Sequence, residues 1–238
     1  EVRAAALSSL ARWDLPESTL LPILGESLAD GEESVRLAAV NLLAARRDLL
    51  GPVTPRLESL LGSEDEDVAR HAAFLLGSIG PEAAPLLLKA LARDKGHADA
   101  IASELARMGR PVVVLLTRSI DDPDPRLRRG AALALGQVRP LPPGAVEKLT
   151  IGLDDPDAEV RAGFLAALGH LGPRGAAAVP AVRARLRDDS ADIRHQALDV
   201  LFRSAPRDAQ LLTDLTAALD DADPRVQSRA LGAIRSLG

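Results

Sequence analysis

The chain has 238 residues, of which 47% are hydrophobic and 26% charged, and its formal net charge is −5. This composition is typical of a folded protein and argues against a dedicated nucleic-acid binder, which needs a basic surface. The lack of Cys excludes disulfides, thiolate catalysis and Cys-ligated metal sites, and the 2% aromatic content predicts a core of Leu, Val and Ala. No segment approaches the roughly 20 apolar residues of a membrane span. We therefore expect a soluble, cytoplasmic protein, and the predominance of Arg over Lys is typical of a GC-rich bacterial genome.

A period of 33 residues organises the sequence. An aliphatic residue, usually followed by Arg, marks the units at Val2, Val35, Val68, Leu127, Val160, Ile193 and Val226. A second marker, Leu or Ile, lies seven residues earlier, at Leu28, Leu61, Ile120, Leu153, Leu186 and Leu219. A fixed period of this length predicts stacked repeats of one supersecondary unit.

In chain order, residues 1–15 supply only a second helix. Two-helix repeats then follow without a linker at residues 16–51, 52–80, 81–110, 111–140, 141–172, 173–206 and 207–238. Each repeat is predicted to contain a first helix, an acidic turn and an amphipathic second helix, because its apolar residues recur at helical spacing. Prolines within the first helices predict a kink or a helix start at Pro22, Pro55, Pro85 and Pro180.

The second helices carry start and stop signals. Asp124 and Asp223 each precede a proline, which predicts an N-cap carboxylate followed by proline in the first helical position. Glycines at positions 80, 109 and 172 predict the helix ends. The stretch 92–109 lacks the acidic turn, and His97 occupies the aliphatic slot. We expect a short second helix at about 98–108 there, and whether this irregularity is a hinge or drift stays open.

The repeated pattern, best preserved at residues 154–169, resembles HEAT-like repeats of the short bacterial type found in phycobilisome lyases. The resemblance implies an all-α fold, a right-handed α-solenoid of stacked two-helix repeats extending over residues 1–238. It also implies a ladder of ion pairs between turn Asp and helix Arg residues. The matching pairs are Asp157 with Arg161 or Arg194, and Asp124 with Arg128 or Arg161.

The sequence contains no recognisable catalytic or metal-binding motif. Its four His residues lie on different repeats without the spacing that places two imidazoles on one helix face. The acidic turns lack the glycine and terminal Glu of a calcium loop, so helix capping explains them. We therefore expect no metal, no cofactor and no enzymatic activity.

The function that the pattern favours is a protein-interaction scaffold. Second helices line the concave face of such solenoids, and their exposed positions vary from repeat to repeat. The predicted protein-binding groove contains Leu37, Asn41, Arg70, His71, Phe74, Arg129, Leu133, His195, Gln196, Asp199 and Phe202. Phe74 and Leu133 are the predicted anchors, although packing of both against a neighbouring helix stays open. Trp13 matches the slot of Leu171 in its repeat, so it is assigned to the core between repeats in preference to a binding anchor.

Two other functions remain possible. Some HEAT-like solenoids bind DNA, for which Arg70, Arg107, Arg129, Arg229 and Arg235 would be the candidates. The resemblance to phycobilisome lyases also raises a bilin-handling function, which no local motif supports. The last helix ends without the polar cap that a solenoid end needs, so we expect flanking chain, as part of a larger protein, or a partner over the ends. The partner protein is not identified by the sequence.

Overall fold

The computed structural model describes residues 1–10, 13, 15–93, 98–205 and 208–237, and the regular secondary structure of these residues is helical throughout. The chain divides into two compact units, Glu1–Val112 and Val113–Gly238. Each unit is a stack of helix pairs, which confirms the predicted all-α repeat solenoid. The prediction of one continuous array over residues 1–238 stays a prediction.

In the first unit the helices are α1 (Val2–Leu10), α2 (Glu17–Ser27), α3 (Glu33–Ala45), α4 (Leu50–Leu60), α5 (Glu66–Ile79), α6 (Ala84–Ala92) and α7 (Ala98–Arg107). Short 3-10 turns at Arg47–Leu49 and Pro81–Ala83 lead into α4 and α6. The second helices pack in order, α1 on α3, α3 on α5 and α5 on α7. The predicted repeat boundary at residues 51–52 lies inside α4, and the irregular repeat has the short second helix that its sequence predicted. His97 lies outside the described residues.

The boundary between the units lies within α8 (Arg110–Ser119). The helices that follow are α9 (Pro125–Gln137), α10 (Ala145–Ile151), α11 (Ala158–Leu171), α12 (Val179–Ala184), α13 (Ala191–Ser204), α14 (Leu211–Ala218) and α15 (Pro224–Leu237). Turns of 3-10 helix at Gly152–Asp154, Gly172–Ala178 and Arg185–Arg187 extend the first helices. The second helices again form one layer, α9 on α11, α11 on α13 and α13 on α15.

The helix boundaries follow the local signals. Asp124 accepts a hydrogen bond from the amide of Arg126 at 2.9 Å, and α9 begins at Pro125 as predicted. Gly80, Gly109 and Gly172 all have positive φ angles where their helices end. The prolines of the first helices divide into two kinds. Pro22 and Pro55 lie inside α2 and α4, whereas Pro85 and Pro180 lie in the first turn of α6 and α12.

The cores consist almost entirely of aliphatic residues, as the composition predicts. Leu43, Leu57 and Leu87 in the first unit are fully buried, and so are Leu149 and Leu198 in the second. The largest buried side chain is that of Phe164 on α11. Trp13, in contrast, is 64% exposed, so its assignment to the core is wrong. The helical slot that it shares with buried Leu171 does not by itself bring a neighbouring helix over it.

Glycines allow α9 and α11 to approach closely. A Cβ atom on Gly136 would lie 2.7 Å from the Cα and carbonyl oxygen of Ala167, and one on Gly163 would lie 2.7 Å from Cγ of Arg129. Because the obstacle at Gly136 is backbone, it cannot move aside as a side chain can. No helix among the described residues is long and apolar enough to cross a membrane.

Candidate functional site

Nine of the eleven predicted groove residues lie on the exposed side of the second helices. We call this side the second-helix face of each unit; it is formed by α3, α5 and α7 in the first unit, and by α9, α11, α13 and α15 in the second. Leu37, Asn41 and Arg70 are exposed, and Phe74, Arg129, His195, Gln196, Asp199 and Phe202 are half-buried. His71 and Leu133 are buried.

His71 and Leu133 therefore cannot contact a partner, and their assignment to the groove is wrong. Leu133 on α9 is only 6% exposed, because α11 approaches α9 closely at Arg129 and at Gly136, about one helical turn before and one after Leu133. His71 is 8% exposed. Its burial lowers the pKa of the imidazole, and the nearby charge of Arg70 acts in the same direction. A buried neutral His is a core residue and not an available cation.

Phe74 lies beneath a charged side chain from the next second helix. The guanidinium carbon of Arg107 on α7 lies 5.4 Å from the centre of the Phe74 ring, within the range of a cation–π interaction. Arg107 also donates two hydrogen bonds to Glu104, at 2.8 and 2.5 Å. This three-residue contact leaves Phe74 partly exposed on the second-helix face.

The second unit contains a similar stack. The guanidinium carbon of Arg229 on α15 lies 5.4 Å from the centre of the Phe202 ring on α13, and Asp199 pairs with the same Arg. Two of the three Phe residues of the chain thus stand on second-helix faces, each covered by an Arg of the following second helix. Both rings were predicted to lie in the groove, and both Arg residues were named only as nucleic-acid candidates. The stacks were not predicted, because the two Arg residues occupy different positions within their repeats.

Arg–Asp rungs connect successive repeats of the second unit at the turns between first and second helices. The rungs join Arg128 with Asp155, Arg161 with Asp188, and Arg194 with Asp221, and every N···O distance lies between 2.7 and 2.9 Å. In each rung the remaining guanidinium nitrogen donates to two backbone carbonyls of the turn before its own helix. In Arg161, for example, Nη1 donates to the carbonyls of Asp155 at 2.8 Å and Pro156 at 3.2 Å. A rung therefore fixes both a turn and the next repeat.

The rung carboxylates Asp155, Asp188 and Asp221 have lowered pKa values. Burial raises the pKa of Asp155 and Asp188, but the hydrogen bonds from their Arg partners and from a backbone amide outweigh it. At Asp221 the hydrogen bond from Arg194 is the largest influence. The Asp188 side chain is only 4% exposed, so its charged form is largely desolvated and is stabilised there by its hydrogen-bond partners.

The predicted ladder partners differ from these. Asp157 accepts hydrogen bonds from the amides of Glu159 at 2.8 Å and Val160 at 3.3 Å, so it caps α11, and Asp124 caps α9 in the same way. A carboxylate aimed at the first amides of its own helix points away from the neighbouring repeat. The Asp that lies 27 residues after each rung Arg pairs instead. That recurring spacing is the signal that could have identified it.

The rungs of the first unit are weaker. Arg3 pairs with Asp30 at 3.1 Å. Buried Arg36 has Ser63 at the matching position. It donates to the carbonyls of Asp30 and Gly31, but its nearest carboxylates among the described residues are Asp65 at 4.0 Å and Asp67 at 3.6 Å. Its Nε has no hydrogen-bond partner.

The described residues contain no group of His, Asp and Glu side chains that could hold a metal ion. A cleft of about 520 Å³ lies beside α12 and α14, lined among others by Arg183, Arg194, Asp214 and Asp221. These four side chains are already paired, Arg183 with Asp214 and Arg194 with Asp221. The cleft therefore presents saturated ion pairs instead of reactive groups.

Solved structures with the same fold include karyopherins. A structure of Kap121p superposes with a TM-score of 0.60 at 14% identity, over 94% of this chain and 34% of that one. Kap95p with RanGDP gives 0.61 at 15% identity, over 92% and 36%, and Kap121p bound to the SUMO protease Ulp1p gives 0.60 at 14%, over 98% and 37%. The chain thus spans little more than a third of each karyopherin, and the likeness is one of fold alone.

No curated protein sequence matches the chain at a significant level. A family model described as HEAT repeats matches residues 1–74, 21–99, 84–169 and 146–235, which together span nearly the whole sequence. With its helix pairs, capped second helices and repeat-to-repeat rungs, the chain belongs to the HEAT-repeat family.

Proposed function

We propose that the chain is a non-catalytic scaffold that binds a protein partner on its second-helix faces. The observation that supports this most directly is the pair of ring and guanidinium stacks, Phe74 with Arg107 and Phe202 with Arg229. Aromatic and Arg side chains are the types that dominate binding energy at protein interfaces. In a chain with 2% aromatic residues, their placement on this face favours recognition.

The second helix of the repeat before the one that carries Phe74 supports the same function. Leu37 on α3 is 40% exposed, and Asn41 on the same helix is exposed as well. A partly exposed ring and an exposed Leu on neighbouring second helices offer an apolar contact bordered by polar groups. Such a combination is typical of the centre of an interface.

The nucleic-acid alternative receives less support. Of the five Arg residues that it requires, Arg70 pairs with Asp67, Arg107 with Glu104 and Arg229 with Asp199. Their charges are therefore compensated within the protein. Of the five candidates, this leaves only Arg129 and Arg235 for a phosphate backbone.

The test is affinity enrichment of partners from native lysate, quantified by mass spectrometry. The Leu37→Asp and Phe74→Asp double variant is compared with a matched control, Val114→Asp and Leu212→Asp, which places the same charges on exposed residues of first helices. We expect partners retained by the wild type to be lost from the first variant and kept by the second. Equal retention by both variants, with helicity unchanged in circular dichroism, would refute the proposed face of the first unit.

A further inference from the structure

Three exposed Arg residues, Arg139, Arg174 and Arg203, lie at the C-terminal end of α11 or directly beyond it, and we call them the basic cluster. Arg139 reaches this end of α11 from the end of α9, with Nη2 donating to the carbonyl of His170 at 3.4 Å. Arg203 reaches it from α13, where its guanidinium lies 3.6 to 3.7 Å from the position of a Cβ on Gly169. Arg174 lies three residues after the end of α11, within the 3-10 helix Gly172–Ala178.

None of the three guanidiniums has a carboxylate within ion-pair distance among the described residues. Arg139 donates only to backbone carbonyls, to Gly136 at 2.9 Å and Val138 at 2.8 Å besides His170. Arg203 makes one long hydrogen bond, 3.4 Å to the carbonyl of Asp199, whose carboxylate pairs with Arg229. Burial lowers the pKa of Arg139, and the charge of Arg174 lowers it further, as expected for neighbouring cations without a counter-ion.

The carbonyls at the end of α11 do not neutralise this charge. A helix C-terminus carries about half a negative charge, whereas the cluster carries three positive ones. The acidic turns of the second unit lie at the other end of the second helices. The 14 residues of α11 separate Asp157 from the cluster by about 20 Å, beyond the screening length of about 8 Å at physiological salt.

The first unit contains the corresponding arrangement with its charge compensated. Gly77 of α5 occupies the position of Gly169 in α11, and Arg107 lies against it as Arg203 lies against Gly169. The residue nearest to Gly77 is Glu104, which pairs with Arg107. The residue nearest to Gly169 is Val200, which offers no charge. The two units thus share one geometry, and only the second leaves its Arg available.

We infer that the basic cluster binds an acidic segment of a partner protein, with Asp or Glu carboxylates paired to Arg139, Arg174 and Arg203. Guanidinium groups bind carboxylates through paired hydrogen bonds, and their convergence from three helix ends favours an extended acidic chain. The inference rests on the proposed function, since it names the chemistry of the partner at one end of the second-helix face. It concerns the second unit, whereas Leu37 and Phe74 lie in the first.

The experiment measures fluorescence anisotropy of a labelled oligoglutamate peptide with the full chain, at low and physiological salt. Oligoglutamine and oligolysine peptides of equal length serve as probe controls. We expect only oligoglutamate to bind. Replacing the three Arg residues by Gln should weaken binding by about tenfold or more, because each lost charge-assisted pair lowers the affinity.

Two variants keep the interpretation clear. Arg174→Gln changes a side chain with no hydrogen bond inside the described structure, so it tests the charge without loss of a structural contact. Arg225→Gln is the matched control, because Arg225 is an exposed cation at the acidic end, paired with Asp192 and Asp223. We expect Arg174→Gln to weaken binding and Arg225→Gln to leave it unchanged.

Undiminished binding of oligoglutamate to the triple variant would overturn the inference. So would tighter binding of single-stranded DNA than of oligoglutamate through the same Arg residues, because the site would then be one for nucleic acid. The peptide assay needs no native partner. Peptide binding, together with full retention of partners by the Leu37→Asp and Phe74→Asp variant, therefore refutes the proposed face of the first unit and supports the basic cluster. Loss of partners from that variant without peptide binding refutes the basic cluster and supports the proposed face.

Discussion

Replacing Arg161 by Ala removes one complete rung of the second unit. Arg161 donates to Asp188 at 2.9 and 2.8 Å and to two carbonyls of its own turn, and the two side chains are 14% and 4% exposed. Breaking a fully buried pair costs about 3–5 kcal/mol, and an exposed pair contributes about 1 kcal/mol or less. Asp188 would still accept the hydrogen bond from the amide of Ser190, at 3.0 Å. We therefore expect a loss of about 2 kcal/mol, or roughly a thirtyfold shift in the unfolding equilibrium.

The assay combines urea unfolding with amide hydrogen exchange, which assigns the loss to α11 and α13. Arg225→Ala is the matched control, because Arg225 and Asp192 are 64% and 66% exposed and their pair should contribute little. A double-mutant cycle with Asp188→Ala should return a coupling energy of about 1–2 kcal/mol. If Arg161→Ala destabilises no more than Arg225→Ala, or if the two substitutions in the cycle are additive, the rungs do not stabilise the stack.

Acid should weaken the second unit through its rung carboxylates, whose folded pKa values are lowered. The contribution of these carboxylates to the free energy of unfolding is fully present above the ordinary pKa of 3.8 and is lost as the pH falls below that value through the folded pKa. Urea unfolding at a series of pH values across this range would measure the loss. Gly136→Ala should destabilise the protein by about 2 kcal/mol, because the new methyl group would clash with Ala167. Gly232 has open space around it, so Gly232→Ala should stabilise the protein by up to about 1 kcal/mol. Thermal unfolding in which both substitutions change the stability in the same direction would contradict the close approach of α9 and α11. Ser63→Asp should supply buried Arg36 with the rung carboxylate that it lacks and raise stability by about 0.5–1 kcal/mol, with slower hydrogen exchange in α3 and α5 as the check.

Much of the repeat architecture was predictable because its signals are local. The spacing of Val160, Phe164 and Leu168 predicts one buried helix face, and all three are buried. An Asp before a proline satisfies the first free amides of a helix wherever that helix packs, so Asp124 and Pro125 predict the start of α9 correctly. These conclusions need no knowledge of the neighbouring repeat.

Contacts between repeats were decided by the tertiary structure. Asp155 and Asp157 are chemically equivalent in the sequence, yet only the stacking of the next turn on the previous helix places Asp155 beside Arg128 and leaves Asp157 to cap α11. Leu37 and Leu133 both occupy exposed helical phases. The first is 40% exposed and the second 6%, and the second lies where α11 approaches α9 closely, at Gly136 and Gly163.

Packing between repeats also decides which side chains the candidate sites contain. Sequence periodicity determines which residues share a helix face, because that depends on bonds and dihedrals within one segment. It does not determine how closely two faces approach, since that depends on side chains from segments about 30 residues apart. Glycine at residue 136 against Ala167 sets one such distance, and the convergence of Arg139, Arg174 and Arg203 on α11 depends on others. The sequence by itself therefore determined the repeat and its helices, and the packing of the helices decided which side chains stay available to a partner.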